Sequence, residues 1–418
     1  MRYSIIGWVV SFACLGCNSN GGSAPPRDGG GGASVSSSAA STATAGPTNA
    51  SATSGGGGTT EWNPAAWAPC LAEVATNPGA AIPPLVWGPC QGGAPGCERL
   101  DTSWKPLAHY PSFSPPSVLR RPGGYWLATQ LSLDPPNWHM GWYDELGHPL
   151  YAARTVECNF VPILLGETEF WFGAQLPVPG SSVYVQFSYD SSQVPKYQSE
   201  LTASSQGWTG TDDVLALWIS GGVQVGVDDV QGNTSALLNP APGIGYRAAS
   251  IVGRDLLLRY YSAFERPEGR IWTHQSGAVS PLIQPADDVV IDLKSDGNTL
   301  VWLQAPVKPL NADMWTGVSL WTSPFATSMA SVLPTKRRDL PGVGTATSSA
   351  NQGYYAVYSH EDGRIHVYRL SDAHHWAVEI PAGEIFYDVS YVDDTTLFFH
   401  TYETIFRVPL NALGPGDP

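Results

Sequence analysis

From residue 117 onward the chain repeats one pattern, a short apolar run, a turn, and a second apolar run. YWLATQL (125–131) is followed by GWYDELGHPLY (141–151), EFWFGAQL (169–176) by SVYVQFSY (182–189), and DVLALWIS (213–220) by VQVGV (223–227). RDLLLRYYS (254–262) precedes GRIWTHQS (269–276), and DVVIDLKSDGNTLVWLQ (288–304) precedes GVSLWTS (317–323). GYYAVYSHEDGRIHVYRL (353–370) and IFYDVSYVDDTTLFFHTYETIFRVPL (385–410) complete the series. The turns are marked by Ser295-Asp296-Gly297-Asn298, Glu361-Asp362-Gly363 and Asp393-Asp394. Short runs returning about every 8–12 residues between such turns predict strands of an all-β sandwich, barrel or propeller.

Composition points the same way. Lysine occurs only five times among 418 residues, whereas Gly (45), Pro (36) and Trp (16) are plentiful. A helix-rich chain spends Lys, Glu and Leu on exposed helical faces; here Trp, Tyr, Val, Thr and Ser alternate with turn formers, as strands require. The strand clusters themselves recur at about 35–50 residues, a period that suits the blades of a β-propeller. Roughly seven clusters begin near residues 117, 157, 207, 244, 287, 345 and 384, so the expected fold is an all-β propeller of about seven blades. Radial repetition also leaves few exposed strand edges. A double sandwich and a β-helix are the alternatives.

DVVIDLKSDGNTLVWLQ, with VSLWTS after it, resembles the strand–Ser-x-Asp-Gly–strand unit of TolB-like periplasmic propellers. The resemblance implies that Asp296-Gly297 turns a hairpin and that the next strand carries an apolar pair, Val301 and Trp302. It covers this one unit and part of 354–370.

The first residues bear on location. After Arg2, YSIIGWVVSFA (3–13) leads into Cys14-Leu-Gly-Cys17. Ile5 to Cys17 would span about 20 Å as a helix, short of the roughly 30 Å hydrocarbon core, which speaks against a membrane span. A positive residue, a short apolar core and a small residue before the cut make a secretory signal. The segment resembles a bacterial lipoprotein signal peptide. That resemblance makes 1–16 the signal, with Gly16 before the cut and Cys17 as the lipidated residue; Cys14 stands where the family has an aliphatic side chain. An ordinary cleaved signal is the alternative. Residues 17–60 are almost entirely Gly, Ser, Ala, Thr, Asn and Pro and cannot bury a core, so they read as a disordered tether. Its root-mean-square reach is roughly 35 Å. A Cys- and Pro-rich segment, 61–116, is expected to pack on the propeller at 117–418.

Beyond Cys14 and Cys17, four cysteines remain: Cys70, Cys90, Cys97 and Cys158. An even number in an exported chain predicts two disulfides. CQGGAPGC can fold back to join Cys90 to Cys97, and Cys70–Cys158 follows by elimination. No Cys-x-x-Cys spacing among these four supports zinc.

The formal net charge of −15 argues against nucleic acid as a partner, because phosphate neutralisation needs Lys and Arg, and equally against electrostatic docking on anionic lipid. No Gly-x-Ser-x-Gly elbow, His-Glu-x-x-His, phosphate loop or dinucleotide fingerprint is present. His374-His375 would point to opposite faces of a strand, while His360 and His366 flank an Asp-Gly turn across which they could approach. The pairs Asp212-Asp213, Asp228-Asp229, Asp287-Asp288 and Asp393-Asp394 sit at strand boundaries, where Asp favours turns, and lack calcium-loop spacing. Trp-rich strands could form a carbohydrate platform, although packing between blades uses the same residues. The expected catalytic, metal and cofactor sets are therefore empty. The expected function is an exported, lipid-anchored binding or scaffold module at the cell envelope, with an envelope protein or a glycan as partner. The alternative is a propeller glycan hydrolase or lyase.

Overall fold

The computed structural model describes residues 84–100 and, with short interruptions, 117–418; side chains are described mainly at 84–100 and from 225 onward. Cys17, Cys70, Cys158 and the tether lie outside the described residues. The strands are β1 (Trp87–Pro89) and β2 (Glu98–Leu100), then β3 (Ser117–Arg121), β4 (Gly124–Leu133), β5 (Pro136–Asp144) and β6 (Pro149–Thr155) in a first sheet. A second sheet holds β7 (Phe160–Ile163), β8 (Phe170–Val178), β9 (Ser181–Tyr189) and β10 (Pro195–Leu201). The third comprises β11 (Ser205–Gly210), β12 (Val214–Ile219), β13 (Val225–Asp229) and β14 (Thr234–Leu238). The fourth runs β15 (Ile244–Val252), β16 (Asp255–Ser262), β17 (Glu268–Thr273) and β18 (Ala278–Ile283). In the fifth are β19 (Asp288–Ser295), β20 (Thr299–Pro306), β21 (Val318–Pro324) and β22 (Thr335–Leu340). The sixth contains β23 (Ser348–Asn351), β24 (Tyr354–Tyr358), β25 (Arg364–Arg369) and β26 (His375–Glu379). The seventh combines β27 (Phe386–Val392), β28 (Thr396–Thr401) and β29 (Ile405–Pro409) with β2 and β1, in the order β1-β2-β29-β28-β27.

Every pairing is antiparallel between consecutive strands, except that β2 pairs with β29 and so brings the two ends of the described chain into one sheet. The first strand of each four-stranded unit packs on that of the next, in the order β7, β11, β15, β19, β23, β27, β3. Sequential four-stranded antiparallel sheets meeting along their first strands make a β-propeller. Among the described residues no helix is long and apolar enough to cross a membrane.

Strand alternation explains why runs such as DVVIDLK and TLVWLQ lack polar residues at every second place. Val289, Val301, Leu303 and Ala305 join Tyr355, Val357 and Tyr368 in the seam between the fifth and sixth sheets. Val290, Leu293, Leu300 and Trp302 join Leu257, Ile271 and Leu282 in the seam with the fourth. Both faces of each central strand are buried, so both sets of alternate residues are apolar. Val301 and Trp302 are thus a pair with each member in a different seam. Trp302, 1% exposed, stacks on Trp321 at 6.3 Å, and the Trp321 indole N–H donates to Ser319 Oγ at 2.9 Å. Burying one side chain of this size contributes about 1.5–3 kcal/mol.

The Asp-Gly turns work as the sequence pattern anticipates. Asp296 Oδ1 accepts the N–H groups of Asn298 (2.9 Å) and Thr299 (2.7 Å), while Gly297 takes φ +96°, where side chains are strained. Asp296 Oδ2 also accepts the Gly353 N–H at 2.7 Å, tying this hairpin to the next sheet. Asp393, 2% exposed, likewise accepts from Thr395 and Thr396 N–H at 2.8 and 2.7 Å, a turn-making carboxylate.

Cys90 and Cys97 are bridged, with Cα atoms 5.5 Å apart, at the tip of the β1–β2 hairpin. Cys90 N–H donates to Cys97 O at 3.1 Å. Ala94 and Cys97 then enter the apolar seam formed by Val378, Val389, Phe399 and Phe406.

Candidate functional site

Asp292 on β19, His366 on β25 and His400 on β28 are buried polar groups, and β-bulges shape β19 and β27, the strands that carry Asp292 and Asp388. On β19 the register shifts between Val290 and Asp292. The extra residue puts Ile291 and Asp292, neighbours in sequence, on the side of the sixth sheet. Asp292 is 6% exposed, and its Oδ2 accepts the hydroxyl protons of Ser348 (2.6 Å) and Tyr355 (2.7 Å) from β23 and β24. Burial first, then the Asp292 carboxylate, pushes the Tyr355 phenol well above its ordinary value, so it remains a donor.

β27 carries two such shifts, one on each side of Asp388 and Val389. Asp388 is half-buried and pushed up to about 7, chiefly by loss of solvent; the Lys294 ammonium and the Val389 N–H oppose this and the Asp292 carboxylate adds to it. Asp292, Lys294 and Asp388 therefore share one electrostatic environment at the strands where the fifth, sixth and seventh sheets meet. Directly across from Asp388 on β28 stands His400, 2% exposed and pushed down to about 3 by burial. Its Nδ1 lies 2.7 Å from Ser390 Oγ, and its ring stacks with Tyr387 at 5.3 Å. His400 Nε2 has no hydrogen-bond partner among the described residues. A serine–histidine nucleophile needs a third group on that nitrogen, so this pair lacks the orienting member of a triad.

A second polar set lies on the sixth sheet. His366 meets His375, at 2.8 Å between Nδ1 and Nε2, and holds Asp362 on its other nitrogen at 3.0 Å. His360 and His366, which could approach each other across the Asp-Gly turn, are each held by other partners. His360 Nδ1 accepts the Gly344 N–H at 3.1 Å and its ring packs edge-on against Tyr358. The histidine contact that forms is diagonal across β25 and β26, since Tyr368 is the direct partner of His375 and His366 stands two residues before it. Same-face placement of His366 and Tyr368 is legible once both strands are drawn, but the register is set by the hairpin. Asp288, from one of the acidic pairs, accepts from Gln304 Nε2 at 2.9 Å, a structural contact within one hairpin. Among the described residues no group of three or more His, Cys, Asp or Glu side chains could hold a metal ion.

No family model matches the chain, and no curated protein matches it either. Solved structures do. The β-propeller domain of the Trilobed protease from Pyrococcus furiosus is 10% identical, with 73% of this chain and all of that one covered and a TM-score of 0.48. The β-propeller domain of Cps50 (Swd1) from Myceliophteria thermophila is 10% identical over 72% of this chain and 99% of that one, TM-score 0.46. TolB from Acinetobacter baumannii is 10% identical over 63% of each chain, TM-score 0.37. At these values the likeness is one of general shape and says nothing about activity.

Proposed function

We propose that this protein is an exported β-propeller, lipid-anchored through Cys17, that acts as a binding or scaffold module at the cell envelope. The observation that carries this reading is the Cys90–Cys97 bridge, which clamps the hairpin that pairs with β29. Disulfides of this structural kind persist in oxidising compartments outside the cytosol. The signal-like segment at 1–16 and the tether at 17–60 agree with that location, and the lipid would be the only contact with the membrane. An envelope protein or a glycan is the partner class. Cross-linking in intact cells should recover a partner from wild type and lose it from a Cys17→Ser variant that leaves the membrane fraction. Fractionation of Cys17→Ser identical to wild type would remove the anchor from the proposal.

A second reading, a glycan hydrolase or lyase, is favoured by one feature. Asp388, pushed up to about 7 chiefly by burial, can hold and release a proton near neutral pH, as general acid or base work requires. Turnover of an envelope glycan that Asp388→Asn abolishes would support it over the binding reading.

A further inference from the structure

The outer edge of the sixth sheet carries a histidine relay under a covering segment. Asp362 accepts from His366 Nε2–H, which leaves His366 Nδ1 to accept from His375 Nε2–H at 2.8 Å. The two rings are parallel, 5.1 Å apart, and Tyr368 lies 4.9 Å from His375. This order leaves His375 Nδ1 with its lone pair and no hydrogen bond among the described residues; Asp417 Oδ2 faces it at 4.0 Å.

Residues 414–418 run along that edge. His375 exchanges both backbone hydrogen bonds with Asp417, each 2.8 Å long. The Trp376 indole N–H donates to Gly414 O at 3.1 Å, the His374 ring donates to Pro415 O, and Arg338 donates to Pro418 O at 3.2 Å. Pro415 has no N–H with which to extend the ladder. Gly416 is required here, because a Cβ would come within 2.7 Å of both His375 O and Trp376 Nε1.

We propose that the His366–His375 pair is a proton-operated latch, which holds residues 414–418 on the edge of β26 and releases them when His375 takes up a second ring proton. The groups facing His375 are His366 and Tyr368 from β25, Asp362 from the preceding turn, Arg338 from β22 and Asp417 from the segment itself. Burial, then His366 and Arg338, push His375 down to about 4, against the pull of Asp417 and Asp362. Asp417 is 79% exposed, so water screens its attraction, whereas the His375 side chain is only 11% exposed. Lifting the segment readmits water to His375 and returns it toward its ordinary value. The released form therefore binds the proton better, and docking is fully favoured above about pH 6.5 and weakens by up to tenfold per pH unit below it. Release uncovers the His375 N–H and C=O, groups through which an extended peptide adds to a sheet edge.

Hydrogen exchange on the full chain between pH 7.5 and 4.5 tests this, with the His375 and Asp417 amides normalised to those of β20. The expected result is protection that falls toward tenfold per pH unit below about 6.5 while β20 holds. His375→Gln, which keeps a donor toward His366 and does not titrate, should flatten the profile. Protection in wild type that is level or rises toward acid, or an unchanged slope in His375→Gln, overturns the latch. Should that variant not fold, titration of the His375 ring by NMR in wild type decides: an ordinary or elevated value overturns the proposal, and a depressed one sustains it.

Discussion

Arg407 on β29 and Glu98 on β2 are 309 residues apart in the chain, yet Arg407 Nε donates to Glu98 Oε2 at 2.5 Å. The same guanidinium donates to Tyr125 OH at 3.0 Å and lies 4.4 Å above the Trp87 ring. One side chain thus connects the seventh sheet, the hairpin added to its edge, and the first sheet.

Arg407→Ala should cost about 1–3 kcal/mol of unfolding free energy, more than an isolated surface pair contributes, because a bonded fork and a ring contact are lost together. Arg407→Lys should recover little of it, since an ammonium cannot make both bonds in the plane of the fork. Urea denaturation of the two variants measures this; equal stability of wild type and Arg407→Ala would mean that the guanidinium's contacts with Glu98, Tyr125 and Trp87 add nothing to stability.

Removing the bridge by Cys90→Ser with Cys97→Ser should lower stability by about 2–3 kcal/mol on the chain-entropy account of so short a loop. Limited proteolysis should then cut first within 90–97, where Gly92, Gly93 and Gly96 hold positive φ angles. Intact chain at wild-type rates of digestion would contradict this.

Tyr355→Phe deletes the phenol that donates to Asp292 at 2.7 Å and leaves Ser348 as the remaining donor to that oxygen. A hydrogen bond to a charged group is worth about 1.5–3 kcal/mol, and the loss should fall in that range in thermal or urea unfolding. Tyr355→Phe combined with Asp292→Asn should cost less than the sum of the two, because the pair is coupled.

Asp388 holds its proton in the folded chain up to about pH 7, whereas an unfolded Asp loses it near 3.9. Between those values the native state binds more protons, so this group makes the protein less stable as pH rises, by up to about 1.4 kcal/mol per pH unit. Asp388→Asn should remove that slope, with the difference from wild type growing from pH 4 to 7 and then levelling. Unfolding curves for both proteins across that range check it, and a constant difference would exclude an elevated Asp388.

The strand pattern was legible because both faces of the central strands are apolar and the turns are made by Asp-Gly and Asp-Asp. The sheets begin at residues 117, 160, 205, 244, 288, 348 and 386, within a few residues of the cluster starts read from apolar periodicity. β1 and β2 were not legible. WGP and ERL are three-residue strands in a Pro- and Gly-rich stretch, with no local propensity to pair unless β29 presents a free edge. The candidate site was hidden for a related reason. Asp292 and Asp388 lie within the runs DVVIDLK and IFYDVSYV with nothing local to single them out, and the bulges beside them leave no mark in apolar spacing. His375 read as half of a neighbouring pair with His374, while its partner, His366, is chosen by cross-strand register.

Local chemistry alone therefore determined an all-β chain with its turns, its apolar seams and the short Cys90–Cys97 bridge, because each depends on residues close in sequence. Tertiary structure decided which strands share a sheet, how β2 reaches β29, and where Asp292, Asp388, His366 and His375 find their partners. Those contacts join residues from 9 to over 300 positions apart, and only the folded register brings their polar atoms within hydrogen-bond reach or low-dielectric proximity.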